Sequence, residues 1–84
     1  MINIRDLSVQ QRNAILLLST TEGFTTGQIA EKLGTGRGTA SMLDSLRNRG
    51  VVKALGHYSP VRCKWLLTDA GVEVQKQLKD ALPN

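Results

Sequence analysis

Eighty-four residues, 40% of them hydrophobic, with a net charge of +4, suffice for one modest core hiding roughly 60–65% of the unfolded surface, and are too few for a second core or a deep catalytic cleft. The longest unbroken apolar run, Ala14 to Leu18, falls well short of the ~20 residues needed to cross a bilayer, and the N-terminus has no basic-then-apolar leader. The lone cysteine, Cys63, excludes an internal disulfide and suits a reducing compartment, so a soluble cytoplasmic protein is expected.

Ser8, with Gln11 three residues on, forms a capping-box signature, which predicts a first helix from about Ser8 to Thr20. Val9, Ala14, Ile15, Leu16, Leu17 and Leu18 cover more than one of its faces, so this helix is expected to be the one buried most deeply by the others. Glu22-Gly23 ends it. Thr25 and Gln28 repeat the capping box, and Phe24 is placed to staple onto Ile29. The second helix is short and closes at Leu33-Gly34, where glycine readily takes a left-handed C-terminal conformation.

Thr35-Gly36 reads as a turn, followed by a third helix from about Gly36 to Arg49. Thr39, Met42, Leu43 and Leu46 fall on one face of it, with Gly50 as terminator. Arg37, Gly38, Ala40, Ser41, Asp44, Ser45, Arg47 and Asn48 remain outside. Gly36 and Gly38 each cost up to ~1 kcal/mol of helix propensity, so the first turn is expected to order fully only on binding. Val51 to Leu55 and Cys63 to Leu67 read as two strands around the polar tip 56–62. Alternation sends Cys63, Trp65 and Leu67 to one face, and Lys64 and Leu66 to the other. Thr68 caps a last helix, with Asp69 in its first turn and a stripe of Ala70, Val74, Leu78 and Ala81 or Leu82.

The fold class predicted is α+β, mostly α: a single winged helix-turn-helix over residues 1–84. A three-helix core carries the helix-turn-helix (about 25–49), a two-stranded wing (about 51–67) and a C-terminal helix (about 69–82). Its positive charge is concentrated. Residues 37–64 hold Arg37, Arg47, Arg49, Lys53, Arg62 and Lys64 against the single acid Asp44, while the remainder carries five basic and six acidic residues. A helix fits the major groove, its leading amides hold a phosphate, and cationic side chains release counterions from the duplex. Double-stranded DNA is the partner these features point to. Arg37 is the first candidate for guanine contact, with Ser41 and Ser45 as lesser hydrogen-bonders. Clamping a phosphate, or plain exposure to solvent, is the alternative for Arg37.

Leu43-Asp44-Ser45-Leu46-Arg47-Asn48-Arg49-Gly50-Val51-Val52, then a basic hairpin and Leu67-Thr68-Asp69-Ala70-Gly71, resembles the prokaryotic winged-helix regulators of the MarR and PadR kind over about residues 8 to 71. The resemblance implies a third helix in the major groove and a wing on the neighbouring backbone or minor groove. It carries Arg37, Gly38, Ser41 and Ser45 to base edges or phosphates, and Arg62 and Lys64 to wing contacts. Thr35, Arg47, Lys53 and Tyr58 complete the expected DNA-binding set, Tyr58 at the wing tip against a sugar or phosphate. Full-length relatives build a dimer and an effector pocket from extra helices, which this chain has little length to form. No small-molecule effector and no cofactor are therefore expected.

A small transcriptional repressor occupying an operator is the function implied, with a winged-helix module binding a polymerase or host factor as the alternative. A homodimer is expected, since one small helix-turn-helix buries little surface and two-fold operators reward paired recognition helices. Ile2, Ile4, Leu7, Val74, Leu78 and Leu82 are its candidate contacts; the alternative use for them is closing the monomer core. No enzyme activity is expected. His57 and Cys63 are fewer ligands than a structural zinc site needs, and the only histidine sits at the hairpin tip with no oriented nucleophile. Trp65 is assigned to the core rather than to base stacking.

Overall fold

The computed structural model describes residues 3–56 and 63–81. Its elements are a short 3-10 turn (Ile4–Asp6), α1 (Val9–Leu17), β1 (Phe24–Thr25), α2 (Thr26–Leu33), α3 (Thr39–Asn48), β2 (Val52–Leu55), β3 (Lys64–Leu67) and α4 (Asp69–Ala81). The three strands form one antiparallel sheet in the order β1-β3-β2. This is a winged helix-turn-helix with a third strand. Among the described residues no helix is long and apolar enough to cross a membrane.

The local start signals operate as read. Ser8 accepts from the Gln11 N–H at 3.1 Å while the Gln11 side chain accepts from the Ser8 N–H at 2.9 Å. Thr25 and Gln28 repeat the reciprocal pair at 3.2 and 2.9 Å, so both helices have two leading donors satisfied. At the far ends, Gly34 and Gly50 take positive φ. After α3 the Gly50 N–H donates to the Arg47 carbonyl (2.9 Å) and the Val51 N–H to the Leu46 carbonyl (3.2 Å). These are the paired bonds of a Schellman motif, with Leu46 and Val51 supplying its apolar contact.

Four expectations are corrected. First, α1 ends at Leu17 rather than Thr20, with Leu18 already extended at ψ 157°. Only Ala14 and Ile15 of its residues are fully buried, and Val9 is 69% exposed. Second, the sheet has three strands rather than two, since Phe24 pairs with Trp65 as strand β1; Phe24 also holds the Lys32 ammonium 5.2 Å from its ring centroid, a cation–π distance. Third, the α4 stripe is Gly71, Val74 and Leu78, with Ala70 and Ala81 exposed. Fourth, Leu7, Val74 and Leu78 lie in the core and Ile4 packs against it. These proposed dimer contacts thus close the monomer, while Ile2 and Leu82 lie outside the described residues.

The core unites all the helices with the sheet: Ile15, Leu18, Ile29, Leu43, Leu46, Val51, Val52 and Leu67 are each under 2% or at most 2% exposed. Trp65 is buried as well, and its indole N–H donates to the Thr26 hydroxyl at 2.9 Å, so the ring is anchored in the core. Register puts Val52, Ala54, Trp65 and Leu67 on one face of the wing and Lys53, Leu55, Lys64 and Leu66 on the other. Leu66 is nonetheless buried, because the chain at Gly23 crosses directly over Leu66 and Lys64.

Candidate nucleic-acid interface

The helix-turn-helix is positioned by a small hydroxyl cluster. Thr39 is 3% exposed; its hydroxyl donates to the Gly36 carbonyl at 2.8 Å and lies 2.7 Å from the Thr35 hydroxyl. That cluster folds the turn back on the start of α3. Gly38 then occupies the N-cap at φ 93°, ψ −9°, a left-handed conformation that glycine adopts without strain. The expected helix start at Gly36 is therefore corrected to Thr39. A left-handed residue cannot lie inside a right-handed helix, so both glycines belong to the turn and cost the helix no propensity.

We expect Thr39→Val, which keeps the shape but removes the hydroxyl, to lower stability by about 1–2 kcal/mol and to loosen the turn that carries Arg37. Urea denaturation checks the first part. Faster amide exchange at residues 36–39 checks the second; unchanged exchange there would show that the backbone alone holds the turn.

Gly38 offers α3 no side-chain cap; the Thr39 N–H donates to the Gly36 carbonyl at 3.4 Å, and the amides that follow it are left to solvent or to an anion. Arg37, Gly38, Ala40, Ser41, Asp44, Arg47 and Asn48 are all exposed, on the side opposite the buried Thr39, Met42, Leu43 and Leu46. Arg37 therefore sits in the turn ahead of α3, and Ser41 in the first turns of the helix.

Two members of the expected set are engaged inside the fold. Thr35 is half-buried in the hydroxyl cluster. Ser45 is half-buried on the flank facing α1, where its hydroxyl accepts from the Gln11 amide at 3.4 Å. On the wing, Lys53 and Lys64 are exposed and share the outer sheet face with Leu55, itself 54% exposed. Tyr58 and Arg62 lie outside the described residues, as do His57 and Pro60.

Sequence reasoning left one feature of this face unread. The Asp44 carboxylate and the Arg47 guanidinium pair at 3.0 Å, with side chains 55% and 53% exposed. Their spacing of three residues along a helix was the available signal. Such an exposed pair contributes little to stability. Among the described residues, no group of three His, Cys, Asp or Glu side chains is placed to hold a metal ion.

No family model matches the sequence, and no curated protein does. Solved structures do. The multiple antibiotic-resistance repressor (MarR) of Listeria monocytogenes 4b F2365 superposes with TM-score 0.79 at 21% identity, covering 88% of this chain and 52% of that one. Staphylococcus aureus MepR in its DNA complex gives TM-score 0.79 at 18% identity, covering 89% and 64%. Streptococcus pneumoniae FabT in complex with DNA gives 0.74 at 19%, covering 90% and 55%. The chain thus has the winged-helix fold of MarR-type regulators and spans between 52% and 64% of their length.

Proposed function

We propose, taking a MarR-type winged helix as the premise, that this chain binds double-stranded DNA as a small transcriptional repressor acting in the cytoplasm on the nucleoid. One observation carries the reading: Arg37 and the uncapped start of α3 are exposed together, and the wing that follows turns Lys53 and Lys64 outward. The fold is shared with MepR and FabT, each of which has been crystallised with DNA. In the proposed complex α3 enters the major groove, with Arg37 and Ser41 toward base edges and phosphates. Arg47, Lys53, Lys64 and the sequence-assigned Arg62 and Tyr58 hold the flanking backbone.

A homodimer placing its recognition helices about 34 Å apart would match two-fold operators. Because Leu7, Val74 and Leu78 are spent on the core, the second copy would dock through other residues.

Fluorescence anisotropy with a random-sequence duplex tests this. With four to six phosphates neutralised, log affinity should fall against log salt with a slope of roughly −4 to −5 between about 50 and 300 mM. Arg37→Ala combined with Arg62→Ala should weaken binding about tenfold or more while leaving the thermal midpoint in place. A folded double mutant that binds as the parent does would sink the docking face. Absence of binding at the lowest salt would instead favour a protein partner for the same surface.

A further inference from the structure

We infer that Asp44 is a specificity-determining residue of this interface, and that the base it selects is cytosine; this rests on the duplex-DNA reading above. Asp44 is the only acidic residue between Arg37 and Lys64, a stretch with six basic residues. Its carboxylate stands near the centre of the outward face of α3, opposite the buried Thr39, Met42, Leu43 and Leu46. An acid at that point opposes binding to phosphates, so its effect on non-specific affinity is negative.

The base edges decide what this carboxylate tolerates. An ionised carboxylate only accepts hydrogen bonds. In the major groove guanine presents the acceptors N7 and O6, thymine presents O4, and adenine sets its N6 donor beside the acceptor N7. Cytosine presents the N4 amino group as a donor with no acceptor beside it. The Arg47 guanidinium, 3.0 Å from Asp44, adds donors on the same flank. The Asp44 carboxylate thus complements the N4 donor of cytosine, while the remaining Arg47 donors stay directed to the flanking backbone. Position on the helix, near the centre of the outward face, is what directs the carboxylate to one base position.

Selection of binding sites from a random-duplex pool, using the full chain and its Asp44→Asn and Asp44→Ala variants, tests the assignment. The parent should enrich a fixed C·G pair, preferred by about tenfold over other pairs at that position. Asp44→Asn should shift that position to A·T, because an amide pairs with adenine N6 and N7, and Asp44→Ala should lose preference there alone. Both variants should bind random duplex more tightly than the parent, by about three- to tenfold at low salt. A purely structural role for Asp44 would change affinity uniformly and leave every base preference in place.

Identical enriched bases for the parent and both folded variants would overturn the inference while leaving the DNA reading intact, and so would a parent that binds tightly yet enriches no sequence. Absence of duplex binding by all three proteins at low salt removes the DNA reading, and the inference with it.

Discussion

Gly71→Ala is expected to destabilise the protein by about 3 kcal/mol, lowering the thermal midpoint by roughly 12–24 °C for a chain of this size. The α-carbon of Gly71, in the first turn of α4, lies directly against the Val51 carbonyl, and a β-carbon there would collide with that oxygen. It would also come within 3.0 Å of Leu67 Cδ2 and 3.1 Å of the Val51 carbonyl carbon. Neither neighbour has room to retreat, since Val51 and Leu67 are each 1% exposed.

The Val51 carbonyl is held in place by the Thr68 N–H at 3.1 Å, and the Thr68 hydroxyl donates to the Gly50 carbonyl at 2.6 Å. The end of α3 is thereby fastened to the start of α4. A methyl group would force α4 outward and draw Val74 and Leu78 off the core. Gly36→Ala is the matched control, because nothing lies within 4 Å of its β-position and its φ is not positive. Chemical denaturation should leave Gly36→Ala neutral or stabilised by about 0.5 kcal/mol. A Gly71→Ala loss below that size would mean that α4 can shift without disturbing the core.

What the sequence disclosed and what it hid divide along sequence separation. Ser8 with Gln11, and Thr25 with Gln28, are partners three residues apart, and such signals are complete within a single helical turn. The buried face of α3 was legible for the same reason: Thr39, Met42, Leu43 and Leu46 repeat at the helical period. Strand β1 was not legible. Phe24 and Thr25 are two residues whose partners, Trp65 and Lys64, come from the other half of the chain, and two residues have no period.

The start of α3 was misread because a glycine in a left-handed turn and a glycine weakening a helix look alike in sequence. The exposed members of the candidate interface, Arg37, Ser41, Arg47, Lys53 and Lys64, followed from charge and periodicity. Ser45 did not, because the side chain that draws it inward, Gln11, belongs to another helix 34 residues away.

Gln75 is the residue most thoroughly hidden from sequence reasoning, and removing its donor should have the second-largest effect. Where α1 stops at Leu17, its last carbonyls lack helical partners. The Gln75 side-chain amide, on α4, donates to the Ile15 and Leu18 carbonyls at 2.9 Å each and approaches the Leu16 carbonyl at 3.4 Å. These contacts span 57 to 60 residues of sequence, and they explain why α1 can end where Leu18 turns into the core.

Gln75→Leu keeps most of the side-chain volume but leaves those part-buried carbonyls without a donor. The expected loss is about 2–3 kcal/mol, measured by urea denaturation. Gln75→Glu keeps the shape more closely still, yet its ionised carboxylate would face carbonyl oxygens with no proton to donate, so it should be the worse substitution at neutral pH. Amide exchange should quicken in the last turn of α1 for both variants before it does in α3, because the lost bonds join the end of α1 to α4 and touch no part of α3. A Gln75→Leu protein within about 0.5 kcal/mol of the parent would mean that water reaches those carbonyls and caps the helix as well as the side chain does.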